Sequence, residues 1–292
     1  MIRTSSPLAV LFASLVVSAS SEAMFVDKNV APRYSTSQAK LRAASRLAWT
    51  NAITNDDAER LEELFAENDP VLLLSVTSSN GKSALMVAAK TGNLDLAKSL
   101  VMAGADVNEA TDTQGTPFMF AVLGGHQNVA RWLLEHGADI NTIGSNGWTA
   151  LTIAAAKGRV RLLQWLISEG ANTQVRDVYR FTPLLRAVDN GYVEAAAVLL
   201  SLVETDVNAK DEYDNTALHH AVSSRNLPMV SLLLEHGANP EISNREGISP
   251  FDVARTLASD SQTISQALGS RSSQGRDKSD IPVLREQMTD VH

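Results

Sequence analysis

The sequence predicts an all-α solenoid of stacked helix-turn-helix units, and three observations carry that expectation. A short pattern recurs six times, as Ser83-Ala84-Leu85, Thr116-Pro117-Phe118, Thr149-Ala150-Leu151, Thr182-Pro183-Leu184, Thr216-Ala217-Leu218 and Ser249-Pro250-Phe251, at spacings of 33, 33, 33, 34 and 33 residues. A sustained period of that length marks a repeat array. Glycines recur in two further registers, Gly92, Gly125, Gly158 and Gly191, then Gly104, Gly137, Gly170 and Gly237. Apolar stripes such as Val129, Ala130, Leu133 and Leu134 run at helical spacing, and a composition that is 44% apolar over 292 residues supplies a core of ordinary size.

The elements follow in chain order. Arg3, the apolar run Leu8 to Val17 and the small residues Ser18 to Ala23 make the three-part pattern of a signal peptide over 1–23. The run is too short to span a bilayer, which takes roughly 20 apolar residues. Residues 24–47 carry Lys28, Arg33, Lys40, Arg42 and Arg46 among Ser and Thr, with Asp27 as the one acid, and read as a linker or a transit-like segment. Residues 48–79 read as a degenerate capping unit: Trp49, Ala52, Leu61, Leu64 and Phe65 face inward, while seven acids between Asp56 and Asp69 meet water.

Six full units are expected over 80–270. In each, the Ser or Thr caps a first helix, and proline in the next place is already at helical φ and lacks only a donor that would go unused. Ala88, Ala121, Ala154, Ala187, Ala221 and Ala254 let neighbouring first helices approach, and the two glycine registers end the first and second helices in left-handed conformation. The last unit is expected to serve as the C-terminal cap, and residues 271–292, rich in Ser, Arg and Asp, read as disordered. The array departs from its own period at Arg225, which stands in a glycine register, and around Leu202 to Asp206, where there is one extra residue and Glu204 replaces glycine. An altered stacking angle is expected there.

The recurring TPL-type opening, together with closures such as Leu133-Leu134-Glu135-His136-Gly137-Ala138-Asp139-Ile140-Asn141 and Leu233-Leu234-Glu235-His236-Gly237-Ala238-Asn239, resembles the ankyrin-repeat family. The resemblance covers about 220 residues and implies an ankyrin-repeat solenoid whose β-hairpin-like fingers precede each capping residue. It also implies a role in holding other proteins. On the fingers so placed, Trp148 and Phe181 stand directly before Thr149 and Thr182, and Tyr179 and Tyr213 stand three residues before Thr182 and Thr216. The register just inside, Val87, Phe120, Ile153, Arg186 and His220, is expected to face the concave groove, with Leu123 one turn from Phe120. Exposed aromatic and arginine side chains are what binding hot spots are made of. The expected partner site is therefore Phe120, Leu123, Trp148, Ile153, Tyr179, Phe181, Arg186 and Tyr213. Trp132 and Trp165, sharing a register in the second helices, are expected in the core.

Little in the sequence points to catalysis. There is no cysteine, which excludes disulfides, thiolate nucleophiles and cysteine-based metal sites. Five of six histidines fall in repeat registers, and adjacent His219 and His220 would diverge on a helix rather than share a metal. No metal, cofactor or catalytic residue is expected. Residues 49–270 carry a formal charge of −12, against +4 for residues 1–48. That sign disfavours nucleic acid and favours a protein partner with a basic surface. The expected function is a non-enzymatic interaction scaffold or adaptor carried on the secretory route without a stable membrane anchor. The alternatives are a regulatory or targeting subunit of an enzyme complex and a secreted effector that binds a host protein; plastid delivery or cytoplasmic retention are the alternative destinations.

Overall fold

A computed structural model describes residues 36–69 and 74–257. The expected signal peptide, the beginning of the linker, the end of the last repeat and the C-terminal tail lie outside the described residues. The chain divides into two compact units, one ending at Thr205 and the other beginning at Asp206. The division falls in the segment where the period gains its extra residue.

The first unit opens with α1 (Thr36–Thr54) and α2 (Ala58–Glu67). Helix α1 begins inside the segment read as a linker, because Ala39, Leu41, Ala43, Ala44 and Leu47 favour helix whatever the basic residues between them do. Trp49 and Phe65 stack with ring centroids 6.4 Å apart, and Ile53, Leu61 and Leu64 complete a small core. Asp56 turns the chain between the two helices at φ 57° and accepts from Lys82 Nζ at 2.9 Å and Lys90 Nζ at 2.7 Å. One carboxylate thus fastens the cap to the first full repeat.

Four repeats follow in this unit, each a pair of short helices: α3 (Ala84–Thr91) and α4 (Leu94–Met102), α5 (Pro117–Gly124) and α6 (Gln127–Glu135), α7 (Ala150–Ala156) and α8 (Val160–Ser168), α9 (Pro183–Asp189) and α10 (Val193–Leu200). The caps fall where the pattern places them: Ser83, Thr116, Thr149 and Thr182 each accept from the backbone N–H three residues on. First helices stack on first helices, and the alanine register is what lets them. Ala88, Ala121, Ala154 and Ala187 are each 0% exposed.

The second unit holds α11 (Ala217–Ser223), α12 (Leu227–Glu235) and α13 (Pro250–Thr256). His219 is buried beneath Thr216: its Nδ1 accepts from the Thr216 N–H at 3.0 Å, which leaves Nε2–H to donate to the Ile248 carbonyl at 3.1 Å. Burial holds this imidazole below its ordinary pKa, against the opposing pull of the Ile248 carbonyl, so it is neutral. Arg225 takes the left-handed conformation, φ 55°, that glycine supplies at the same place in the other repeats. Pro228 sits in the first turn of α12, where its missing N–H costs nothing.

Candidate functional site

Every repeat is preceded by a tight finger whose backbone closes on itself. In the first unit Ser78, Thr111, Gly144 and Asp177 each donate N–H to the carbonyl four residues on, at 2.8–3.0 Å. The residue three places along, Gly81, Gln114, Gly147 or Arg180, takes positive φ of 60–80°. Consecutive fingers are stitched by backbone rungs, Asp112 N–H to Asn80 O, Ser145 N–H to Thr113 O and Val178 N–H to Asn146 O. In the second unit Asp211 and Asn244 repeat the closure, and Arg245 N–H donates to Tyr213 O. The fingers therefore have hairpin-type closure; among the described residues no strand forms, and an isolated bridge joins Lys210 and Thr216.

The first residue of each finger decides how that finger is braced. Asp177 is buried, and its Oδ1 accepts from the N–H groups of Tyr179 and Phe181, both at 2.9 Å. Asp211 does the same for Tyr213 and Asn215, and Asn244 for Glu246 and Ile248. The remaining Asp177 oxygen takes Arg186, whose Nε lies 2.7 Å away and whose Nη2 also donates to it. In the second unit His220 Nε2 holds the matching oxygen of Asp211 at 3.0 Å. Burial alone would raise the Asp211 carboxyl, but the His220 bond and the N–H groups of Asn215 and Tyr213 outweigh it and hold it below the usual carboxylate range.

Arg186 also gathers the predicted aromatics. Its guanidinium carbon lies 4.2 Å from the centre of the Phe181 ring, 5.2 Å from that of Trp148 and 5.9 Å from that of Tyr179. The cation expected to reach a partner is thus engaged within the chain, where it orders three rings into one surface. Tyr179 is 51% exposed and Trp148 and Phe181 are half-buried. Tyr213, on the second unit, is 60% exposed.

Beside this cluster the first unit has a hollow of about 310 Å³ lined by Met119, Phe120, Leu123, Gly144, Trp148 and Ile153 among others. Phe120 and Leu123 stand half-buried at its side, but Ile153 is only 7% exposed and Val87 is fully buried. In that register short side chains end beneath the fingers and only long ones, Phe120, Arg186 and His220, reach out. Sequence reasoning missed Asp177, Asp211 and Gly144, which form one column with Ser78, Thr111 and Asn244. That column, polar except for a single glycine, was readable in the period.

Of the two tryptophans expected in the core, Trp165 is buried, in ring contact with Phe118 at 6.3 Å and bonded through Nε1 to Glu169 at 2.8 Å. Trp132 is only half-buried: it stacks on His136 at 3.9 Å, one turn along α6, so the outward side of that helix needs no deeper cover. His219 and His220 diverge to separate partners, and no group of three or more metal-ligating side chains occurs among the described residues. No described helix is long and apolar enough to cross a membrane.

Family comparison agrees with the geometry. Descriptions of ankyrin repeats match residues 49–144, 124–167 and 202–254. The chain belongs to the ankyrin-repeat family. Ankyrin repeats bind other proteins and are generally non-enzymatic. Similar proteins include the regulatory protein NPR6 of Arabidopsis thaliana, 41% identical over 26% of this chain and 17% of its own length. The BTB/POZ domain and ankyrin repeat-containing protein NBCL of Lotus japonicus is 39% identical over 25% and 16%. The palmitoyltransferase ZDHHC17 of Homo sapiens is 41% identical over 25% and 12%. The chain thus spans less than a fifth of the length of these curated relatives.

Proposed function

We propose that the chain is a non-enzymatic ankyrin scaffold or adaptor that captures a protein through the finger face of its first unit. The observation that carries this reading is the cluster of Trp148, Tyr179 and Phe181 ordered around the Asp177–Arg186 pair, next to an apolar hollow. Preordered rings bring large contact area at small entropic cost. Tyr213 offers a further exposed ring on the second unit. A partner with a basic surface suits the acidic array, and nucleic acid does not. Replacing Trp148 and Tyr179 together by Ala should leave the unfolding midpoint within a few degrees and weaken partner capture at least tenfold. Unchanged capture would remove the proposal.

A second reading, a regulatory or targeting subunit of an enzyme complex, draws support from one relative, a palmitoyltransferase similar to a quarter of this chain. It predicts co-purification with a catalytic chain, whereas a secreted effector would co-purify with a protein of its host. We propose the secretory route on the pattern of residues 1–23. A fluorescent reporter carrying residues 1–48 should enter the secretory pathway; plastid import or cytosolic retention would rule that out.

A further inference from the structure

We infer that the hollow beside Trp148 is a specificity pocket for one uncharged aromatic side chain of a bound polypeptide. The inference rests on the reading of the finger face as the binding face, and it adds the chemistry of what is bound.

One residue in the lining of the hollow departs from the pattern of the other fingers. At the base of the other fingers stand Ser78, Thr111, Asp177, Asp211 and Asn244, and each of their side chains accepts a backbone N–H of its own finger. Gly144 occupies that place in the third finger and has no side chain to give. The bracing is taken over by Asn146, whose Oδ1 accepts from Trp148 N–H at 3.1 Å. The finger keeps its closure, Gly144 N–H to Trp148 O at 2.8 Å, and Gly144 and Ile153 both line the hollow.

Conformation does not demand glycine here. Gly144 is not among the glycines with positive φ, and a methyl group built on it would stand 3.4 Å from both Asn146 Oδ1 and the Thr113 carbonyl, ordinary contact distances. What the absence of a side chain provides is room.

The walls define the occupant. None of the lining residues is charged, so an ionic group entering the hollow would give up hydration with no opposite charge in the lining to replace it. The large lining residues are Phe120, Trp148, Met119, Leu123 and Ile153, and the rest, among them Thr113, Ser145 and Asn146, are small polar residues or glycine. Rings against rings in offset or edge-on geometry, and sulfur near a ring, favour an aromatic guest over an aliphatic one. A volume of about 310 Å³ lies at the small end for ligand pockets and holds one large side chain rather than an extended ligand.

The test uses the full chain with ¹³C-labelled Met and Ile methyl groups, and indole as the probe. Indole should shift the Met119 and Ile153 signals saturably, with a dissociation constant in the millimolar range expected of so small a ligand. Benzamidinium, a planar cation of similar size, should not. Gly144→Thr, which restores the side chain found in the preceding finger, should weaken indole at least tenfold while leaving the unfolding midpoint unchanged. Phe120→Ala, which removes a wall rather than filling the space, should weaken it several-fold and provides an independent reading. Absence of indole shifts, equal binding of benzamidinium, or full indole binding by both variants would overturn the pocket. If indole fails while the Trp148/Tyr179 double variant still loses its partner, the pocket falls and the interaction surface stands. If indole binds as stated and partner capture survives the double variant, the interaction surface falls instead.

Discussion

Asp177 sits where three demands meet: it is buried, it accepts two finger N–H groups, and it neutralises Arg186. Asp177→Ala would leave a guanidinium and two backbone donors without their acceptor. Loss of one partner from such a pair costs about 3 kcal/mol or more, and urea unfolding of the full chain should record a loss of that size. His219 gives a second expectation with a definite sign. Its folded pKa is depressed, so the unfolded chain takes up the proton first; the stability it contributes is whole above its ordinary pKa of about 6.5 and drains as pH falls below that. The slope from this group cannot exceed that of one proton, about 1.4 kcal/mol per pH unit. Unfolding curves between pH 7.5 and 5.5 should show the decline, and His219→Gln, less stable at pH 7.5, should show a shallower one. At this scale legibility was uneven. The exposed rings announced themselves as apolar residues without a core position, whereas Arg186 looked available because its partner, Asp177, lies nine residues away across a turn. The ion pair becomes visible only when the finger folds the chain back.

The first helices were almost fully legible, since their boundaries have local causes: a hydroxyl that caps, a proline that fits the first turn, a left-handed residue that follows the helix. Thr182→Ala should therefore cost about 1 kcal/mol in chemical denaturation, the usual worth of an N-cap. Where the period is broken the physics still applies. Arg225 adopts the glycine conformation at φ 55° without being glycine, which costs an L-residue roughly 1–2 kcal/mol. Arg225→Gly should raise the unfolding midpoint, and Arg225→Val should lower it; a neutral result for both would mean that neighbouring contacts already absorb the strain. The start of α1 was the poorest element to read, because basic residues and hydroxyls resemble a linker in composition while the alanines and leucines between them propagate helix. The burial of Ile153 and the exposure of Trp132 were also hidden, since both depend on what a neighbouring element covers rather than on register.

For the molecule as a whole, the extra residue near Leu202 marks the division into two compact units. Val203 is fully exposed in this turn and Glu204 is exposed beside it. Brief treatment with a glutamate-specific protease should, among the described residues, cut first after Glu204, and mass spectrometry of the fragments would show it. The rungs that join one finger to the next lie wholly in the backbone, Asp112 to Asn80, Ser145 to Thr113 and Val178 to Asn146. Such rungs are indifferent to the side chains they carry. A lineage with this architecture can rewrite what its fingertips display, residue by residue, without passing through forms that fail to fold, and so can shift allegiance from one partner to another by small steps. The same property recommends these fingers for directed evolution: diversity placed at Ile143, Val178 and Tyr179, all exposed, would sample new specificities on an unaltered frame.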